Sequence, residues 1–272
     1  MVIKMEFIKA IILGIIQGIT EPLPISSSGH INLFKNLFNT NMFNDNITFE
    51  IISNFGSFLA ILIIFRNDIV KLLRGFFTYI FMKKRRVEVK KIFEYCIKIV
   101  ISTIPVGITG FLFKDIIETK MSNMTILAFA FLFTSLMLYI VRNIKGEKDT
   151  FDITYKDAII IGLFQAFTIL PGISRSGTVL VACLLCNLKR DAALKYTFLL
   201  YFPVSIGTMI LGIGDLASME SSLILPYLVG MIFAFFVTFI SYKWLSEVVK
   251  NGKLAGFSIY CLLLALFIFI YF

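Results

Sequence analysis

A polar segment interrupts the apolar N-terminal part of the chain. Residues 21–30 read EPLPISSSGH and supply a carboxylate, two prolines, three consecutive serines and the only histidine of the protein. A serine hydroxyl becomes a nucleophile when a base stands beside it, and histidine can be that base or the acid that assists a leaving group. Ser27 or Ser28 together with His30 therefore predicts nucleophilic chemistry at this segment.

Glu21 follows Gln17 by four residues, so both side chains would share one helix face. The carboxylate could bind a divalent cation or take up a proton, whereas Gln17 would offer only a neutral carbonyl oxygen. The pair leaves two interpretations open: a cation site used in catalysis, and a proton or ion site of a transporter.

A second polar segment, 171–178, reads PGISRSGT. Proline and glycine end one helix and a serine begins the next, so Ser174 here, like Ser26 in the first segment, is a good N-cap. The free N–H groups after such a cap bind anions, and Arg175 adds a permanently charged fork suited to phosphate oxygens. Together the two segments predict phosphoryl transfer from a phosphate ester or anhydride.

The two polar segments are copies of one another. At an offset of 148 residues, GIIQGITEPLPISSSG (14–29) overlays GLFQAFTILPGISRSG (162–177) with seven identities in sixteen positions. The shared residues include glycines, a glutamine and serines, which apolar composition alone does not explain. The halves of the chain are therefore predicted to be duplicates, each with one polar segment.

Membrane helices are the elements that must position these segments. The 272 residues are 58% hydrophobic and include 30 phenylalanines, and runs such as 124–141 are long enough to cross a bilayer core of about 30 Å. This composition indicates a polytopic α-helical membrane protein. Full spans are predicted at 47–65, 92–113, 124–141, 196–214, 223–245 and 254–272.

The net charge of +9 is concentrated in one segment. Nine lysines and arginines fall between Arg66 and Lys91, against two acids, and this segment is predicted to be a cytoplasmic loop. It contains no recognisable nucleic-acid-binding module. The charge therefore indicates the anionic surface of a lipid bilayer as the partner, and no nucleic acid.

Loop charges also predict how the polar segments sit in the bilayer. The loops at 142–157 and 189–195 both fall on the cytoplasmic side, so the apolar segment 158–188 must enter and leave on the same side. Its proline and glycine break would divide it into two half-length limbs, and residues 7–46 have the same form. Both segments are predicted to be re-entrant hairpins, whose irregular backbone must be buried in protein or line a cavity.

Three predicted spans lie between the two hairpins, so the second copy must be inverted relative to the first. The predicted fold is an all-α polytopic membrane protein: an inverted-topology repeat with six transmembrane helices plus two re-entrant helical hairpins, and both termini outside. The chain forms a single integral membrane domain, 1–272, with repeats at about 1–141 and 150–272. Such repeats place a polar site near the midplane, where the hairpin tips meet.

The two motifs resemble those of a known family. Q-x-x-x-E at 17–21 followed by P-I-S-S-S-G-H at 24–30, together with P-G-I-S-R-S-G-T at 171–178, is similar to the signature of the bacterial undecaprenyl pyrophosphate phosphatases, also called bacitracin-resistance proteins. Length, span pattern and repeat agree over essentially the whole chain. The resemblance implies hydrolysis of undecaprenyl diphosphate to undecaprenyl phosphate and inorganic phosphate, which recycles the lipid carrier of peptidoglycan synthesis and confers bacitracin resistance.

In that family the reaction needs a divalent cation, Mg or Ca, and faces the outside of the bacterial cytoplasmic membrane. The resemblance implies Glu21 as the motif carboxylate and cation ligand, Ser27 as the nucleophile and His30 as its acid/base partner. It also implies that Arg175 acts on the pyrophosphate. The remaining residues predicted to bind the substrate are Gln17, Ser26, Ser28, Ser174, Ser176 and Thr178.

The sequence departs from the family pattern at two places. Position 17 is Gln where many relatives have Glu, which weakens a metal site that needs two carboxylates, although Gln17 stays a candidate ligand. The second span reads FEIISNFGS (49–57), where relatives commonly have a Gln-Leu-Gly run. Asn54 occupies that polar position, so Glu50 and Asn54 are further candidates for the cavity.

Several alternatives stay open on sequence alone. A secondary transporter or flippase for an anionic lipid or phosphate compound would share the inverted repeat and the midplane anion site. Within the phosphatase interpretation, Ser27 could attack phosphorus with help from His30. Alternatively, Glu21 or His30 could activate a water, with Ser27 as a phosphate ligand. A homo-oligomer is compatible with the sequence.

Overall fold

The computed structural model describes residues 2–38, 46–120, 123–217 and 219–272, and these parts of the chain are built from α-helices. Two 3-10 helical turns, Lys83–Arg85 and Phe167–Ile169, also occur among the described residues. The α-helices are α1 (Val2–Thr20), α2 (Ser27–Leu37), α3 (Asn46–Phe81), α4 (Arg86–Lys120), α5 (Met124–Val141), α6 (Tyr155–Ala166), α7 (Arg175–Leu185), α8 (Arg190–Leu211), α9 (Ile213–Ala217), α10 (Ser221–Lys250) and α11 (Ala255–Tyr271).

Five of the described helices are long and apolar enough to cross a bilayer, namely α3, α4, α5, α8 and α10. Each of them overlaps one of the first five predicted spans. The sixth predicted span, 254–272, corresponds to the apolar helix α11, whose 17 residues extend about 26 Å. The chain is therefore an all-α polytopic membrane protein.

The basic segment 66–91 is helical, so the prediction of a loop there is wrong. α3 continues to Phe81, α4 begins at Arg86, and a 3-10 turn joins them. Tyr79 stacks on Phe93 across this hairpin, with ring centroids 4.0 Å apart. The segment contains no proline, and a helix satisfies its own backbone hydrogen bonds on either side of a membrane boundary. α3 and α4 therefore continue past the predicted span ends at 65 and 92, up to the 3-10 turn between them.

The prediction of a helix break at each polar segment is confirmed. α1 ends at Thr20 and α2 begins at Ser27, so the EPLPI stretch forms most of the turn between them. α6 ends at Ala166 and, after a 3-10 turn and the LPGIS stretch, α7 begins at Arg175. α2 and α7 have 11 residues each, which is about 16 Å and half of a bilayer core.

Helices of one half of the chain pack against helices of the other half. α1 lies along α10, α6 along α4, and α5 along α11. A Cβ atom added to Gly14 would collide with the carbonyl oxygen of Gly230, so α1 and α10 approach closely. The hydroxyls of Ser135 and Ser258 each donate to the other residue's carbonyl oxygen at 2.8 Å. Membrane helices usually associate through small residues and interhelical hydrogen bonds.

α7 lies inside the largest apolar cluster of the protein. Every residue from Gly177 to Leu184 is buried. The cluster that surrounds these residues includes side chains of α3, α5 and α8. A helix that starts at membrane depth must be enclosed by protein, because its first N–H groups have no intrahelical partner. Burial of α7 in this cluster holds its polar N-terminal end inside the protein.

We expect Gly14→Leu to destabilise the protein, because the new side chain must displace the backbone of α10. Overpacking of this kind costs about 1–3 kcal/mol. The measurement is the melting temperature of detergent-purified protein followed with a thiol-reactive dye, since three of the four cysteines are buried. Gly256→Leu is the matched control, because a Cβ atom there meets no described atom within 4 Å. Equal melting temperatures of the two variants would contradict the close contact.

Candidate active site

The two helix breaks meet at one place in the protein. The Ser176 hydroxyl donates a hydrogen bond to the carbonyl oxygen of Leu23 at 3.0 Å. A Cβ atom added to Gly29 would lie 3.2 Å from the Cα of Gly172. Glycine at these positions lets the two backbones touch, so segments 148 residues apart in the sequence form one site.

Each break ends in a serine cap. The Gly29 N–H donates to Ser26 Oγ at 3.2 Å, and the Gly177 N–H donates to Ser174 Oγ at 3.1 Å. Ser26 has φ = 68°, a left-handed conformation that is costly for a serine and is concentrated at functional sites. The N-terminal ends of α2 and α7, with their partial positive charge, therefore converge on the meeting point.

Glu21 lies at the centre of this meeting point and is bonded to both halves. Its Oε2 accepts from Gln17 Nε2 at 3.0 Å and from the Ser27 hydroxyl at 2.5 Å, and its Oε1 accepts from an Arg175 N–H at 2.5 Å. The Glu21 side chain is only 7% exposed. A buried carboxylate needs such partners, because desolvation of an unpaired charge is very costly.

Arg175 is held in place by an aromatic face as well as by Glu21. Its guanidinium lies 4.5 Å from the ring centroid of Tyr201, and the Tyr201 hydroxyl donates to Asn54 Oδ1 at 2.7 Å. Asn54 was predicted as a cavity residue, whereas the sequence reasoning missed Tyr201. A tyrosine in an apolar span is a usable signal, because its hydroxyl needs a partner, but only the fold identifies that partner.

A cavity of about 370 Å³ opens beside these groups. Asn54 and Tyr201 both line it, together with apolar residues of α4 and α8. Of the residues predicted from the two motifs, the described lining contains Glu21, Ser26, Ser27, Ser28, Ser174, Arg175 and Ser176. The structure thus brings one carboxylate, one arginine and five serines to the wall of a single cavity.

Three other candidates are placed outside the described lining. Gln17 and Thr178 are each 3% exposed; Gln17 acts as a support for the Glu21 carboxylate, and Thr178 is buried in α7. Glu50 forms an ion pair with Lys35 at 3.2 Å. The geometry therefore does not place these three side chains in direct contact with a ligand in the cavity.

His30 is bonded to groups other than Ser27. Its Nδ1 lies 2.6 Å from the Ser26 carbonyl oxygen and its Nε2 lies 2.7 Å from the Tyr260 hydroxyl. Because a carbonyl only accepts, Nδ1 carries the proton and Nε2 accepts from Tyr260. His30 is absent from the described cavity lining. The titratable group bonded to Ser27 is therefore Glu21.

The oxygen donors of the site do not by themselves form a metal centre. The described residues contain no group of three or more His, Cys, Asp and Glu side chains that could hold an ion. Glu21 supplies a carboxylate whose two oxygens already accept three hydrogen bonds. Mg²⁺ is usually held by one or two carboxylates together with substrate phosphates. The donor set fits a divalent cation only when a phosphate ligand completes it.

The helices and the charged cavity define a polytopic membrane protein whose site is formed by two broken helices. The chain belongs to the family of the bacitracin resistance protein BacA, whose model matches residues 10–267. The family membership predicted from the two motifs is thereby confirmed.

Curated relatives match this chain over nearly its whole length. Undecaprenyl-diphosphatase 2 of Bacillus thuringiensis is 41% identical over 266 residues, which are 97% of both chains. The undecaprenyl-diphosphatase of Oceanobacillus iheyensis is 42% identical over 264 residues, 96% of this chain and 94% of the relative. Undecaprenyl-diphosphatase 1 of Halalkalibacterium halodurans is 35% identical over 263 residues, with the same coverage.

We expect Arg175→Ala to destabilise the protein and a second change, Glu21→Gln, to restore part of the loss. Removal of one partner of a buried pair costs about 3–5 kcal/mol, largely because the other charge stays buried, and the neutral amide removes that charge. The melting temperatures of both single variants and of the double variant complete a mutant cycle. Additive losses in the double variant would contradict the coupling of the two side chains.

Proposed function

We propose that this protein is an undecaprenyl-diphosphatase of the membrane. It hydrolyses undecaprenyl diphosphate to undecaprenyl phosphate and inorganic phosphate, recycles the lipid carrier for peptidoglycan synthesis and thereby confers resistance to bacitracin. One observation carries the proposal: Ser27, Glu21 and Arg175 are joined by short hydrogen bonds in one cavity. A nucleophile, a base and an anion-binding group are thus adjacent in a membrane protein.

The terminal phosphate binds at the ends of α2 and α7. Arg175 presents further N–H donors beyond the one that contacts Glu21, and the first N–H groups of both helices face negative charge favourably. The hydroxyls of Ser28 and Ser176 lie 3.5 and 3.3 Å from the caps and complete the phosphate contacts. These donors are fixed before the reaction, which is how a site stabilises developing charge most effectively.

Glu21 serves as the general base for Ser27. As the Ser27 oxygen attacks the terminal phosphorus, its proton passes to Glu21 across their existing hydrogen bond. The new O–P bond forms, the bond from phosphorus to the bridging oxygen breaks, and undecaprenyl phosphate leaves. A water then attacks the phosphoserine and the bond from phosphorus to the Ser27 oxygen breaks. Ser27 takes back the proton held by Glu21, and the proton lost by the water leaves on inorganic phosphate.

In this mechanism His30 positions the turn between α1 and α2. Its hydrogen bond to the Ser26 carbonyl steadies the turn directly before Ser27, and Tyr260 fixes its ring from the other side. The alternative from the sequence, in which a water attacks, uses the same geometry: Glu21 takes a proton from the water and Ser27 binds the phosphate.

A divalent cation, Mg or Ca, belongs to the proposed reaction. Glu21 together with the diphosphate oxygens would hold it, since the protein alone offers one carboxylate at the site. When bound, such an ion neutralises charge on the phosphate oxygens. In its absence Arg175 remains as the cationic partner of Glu21.

We also propose the predicted topology of six transmembrane helices, two re-entrant hairpins and an inverted repeat. The packing supports it, because α1 lies on α10 as α6 lies on α4. α11 then provides the sixth span and is paired with α5. The reciprocal bonds of Ser135 and Ser258 are those expected of equivalent residues beside a pseudo-twofold axis.

The proposed location is the bacterial cytoplasmic membrane, with the active site open to the outside. The cavity follows α4 toward Gly110 and α8 toward Leu211. Both directions lead away from the basic ends of these helices at Arg86 and Arg190. Basic ends are retained on the cytoplasmic side, so the cavity points outward.

Detergent-purified protein is expected to release inorganic phosphate from undecaprenyl diphosphate when Mg or Ca is present, and to lose this activity with EDTA. Arg175→Lys should lower kcat/KM by at least about a hundredfold, because lysine lacks the bidentate fork and the stacking on Tyr201. The measurement is phosphate release. Since detergent provides no second compartment, folded protein that releases no phosphate with either cation would sink the enzyme proposal and favour a transporter or flippase.

Ser27→Ala separates the two mechanisms. If Ser27 is the nucleophile, the variant should lose turnover by at least about a thousandfold, and wild-type protein quenched with acid should carry phosphate on Ser27. A variant that retains more than a tenth of wild-type turnover would favour attack by water. Ser222→Ala, at an exposed serine at the start of α10, is the matched control and should leave the rate unchanged.

A further inference from the structure

A second groove lies on α3, remote from the candidate active site. It has a volume of about 610 Å³ and runs between α3 and the first two turns of α4. Arg66, at its near end, is twelve residues beyond the cavity residue Asn54, which is about 18 Å along the helix. This basic groove is lined by Arg66, Asn67, Val70, Lys71, Arg74, Gly75 and Thr78 of α3 and by Val89 and Ile92 of α4.

The basic groove carries positive charge without a compensating acid. Arg66, Lys71 and Arg74 are all exposed, and no carboxylate occurs in the described lining. The side chains of Arg66 and Arg74 form no ion pair or hydrogen bond with another residue that the structure describes. The neighbouring acid, Asp68, is already paired with Lys195 at 2.8 Å. The cations of the groove are therefore available to an anionic ligand.

Contacts between neighbouring elements give the groove its shape. A Cβ atom added to Gly75 would lie 2.5 Å from the Ile92 side chain, so α3 and α4 touch along the floor. The Lys71 ammonium lies 5.5 Å from the ring centroid of Phe151, and that ring packs on Tyr95 of α4. Retention of basic residues on one side of a membrane requires positive charge alone. A concave basic surface of this volume is, in addition, typical of a ligand site.

The groove begins at the level of the lipid head groups. It follows directly after the predicted span 47–65, and Ile63, which lies on the same face of α3 one turn before Asn67, is exposed. The head-group layer is about 5–8 Å thick on each side of the bilayer. The rise from Arg66 to Lys71 is also about 8 Å. These cations therefore lie at the depth of lipid phosphates, with hydrocarbon beside Ile63.

An exposed apolar stripe runs beside the basic groove. Leu73, Phe77 and Phe81 follow one another at intervals of four residues on α3, and all three are exposed. Leu73 adjoins Arg74 in the sequence, and Phe77 adjoins Thr78. Contact of such a stripe with water is unfavourable, whereas the boundary between head groups and acyl chains accommodates apolar side chains beside basic ones. A ligand that combines a phosphate with hydrocarbon chains matches both surfaces.

We propose that the basic groove binds the head group of an anionic glycerophospholipid. Arg66, Lys71 and Arg74 donate to its phosphodiester, since guanidinium groups bind phosphate oxygens in pairs. The acyl chains run along Ile63 into the hydrocarbon of the leaflet that contains the basic ends of α3 and α4. This ligand is distinct from the diphosphate substrate, and its binding does not depend on hydrolysis. A free phosphate compound would share the charge but would not cover the apolar surface.

The first test measures the Kd of a fluorescent phosphatidylglycerol for the detergent-purified protein in neutral micelles, by fluorescence anisotropy. The triple variant Arg66→Gln, Lys71→Gln, Arg74→Gln should raise this Kd by at least about tenfold, because each cation near the membrane surface contributes to the attraction of an anionic lipid. The replaced side chains are exposed, so the melting temperature without added lipid should stay unchanged.

A matched control removes the same charge from the tip of the same hairpin. Lys83→Gln, Lys84→Gln and Arg85→Gln change the exposed 3-10 turn. This turn begins nine residues after Arg74, roughly 13 Å, which exceeds a Debye length of about 10 Å at 0.1 M salt. The control should leave the Kd within about twofold of wild type. An equal rise in both triple variants would mean attraction to net charge alone and would overturn the groove.

A single substitution tests the groove without removal of any cation. Asn67→Glu places a carboxylate among the three basic side chains and should raise the Kd for phosphatidylglycerol by at least about tenfold, because like charges repel. Asn67→Gln keeps the position neutral and should bind as wild type does. Wild-type affinity in the Asn67→Glu variant would place the lipid elsewhere and contradict the proposal.

Two further probes separate a lipid from other sources of phosphate. Phosphatidylcholine has the same chains without net charge and should bind wild-type protein at least about tenfold more weakly. Glycerophosphoglycerol is the head group without chains and should not displace bound phosphatidylglycerol. If glycerophosphoglycerol binds as tightly as the lipid, the groove is a site for soluble phosphate compounds and the lipid proposal fails. Equal affinity for the two lipids would show that the chains alone are bound, which also overturns it.

Discussion

The site depends on one buried carboxylate that is bonded to both halves of the chain. Glu21 accepts hydrogen bonds from Gln17 and Ser27 of the first half and from Arg175 of the second. In a low-dielectric interior a charge without partners is strongly destabilising, so the two tips can be stable only when they lie together. The same bonds that hold the tips also place the hydroxyl, the carboxylate and the guanidinium side by side, as the proposed phosphate chemistry requires.

The broken helices explain how such polar groups can exist within a bilayer. A full span would bury its N–H groups in its own hydrogen bonds, whereas α2 and α7 start at the site and direct free N–H groups toward it. Their open ends are enclosed by the long helices, and α7 is buried over most of its length. The long helices thus surround the two breaks, where a ligand can satisfy the free backbone groups.

Arg175 stabilises Glu21 when no substrate is bound, and it binds phosphate in the proposed reaction. Its ion pair with Glu21 neutralises the carboxylate while the cavity holds no phosphate, and Tyr201 keeps the guanidinium directed at the cavity. In the proposed reaction the guanidinium contacts the diphosphate through its remaining N–H groups, while Glu21 accepts the proton of Ser27. The Arg175–Glu21 pair therefore stabilises the two tips and takes part in the proposed reaction. An ordinary surface ion pair, by contrast, contributes little to stability.

The sequence by itself determined the membrane class, the helix breaks, the duplicated motif and the family. These features follow from local patterns, because apolar runs, proline, glycine and N-cap serines act within a few residues of themselves. Only the tertiary structure decided which side chains meet. Ser27 and His30 are three residues apart in the first turn of α2, yet Ser27 bonds to Glu21 and His30 to Tyr260. Contacts of that kind depend on how distant helices pack, and no spacing along one chain encodes them.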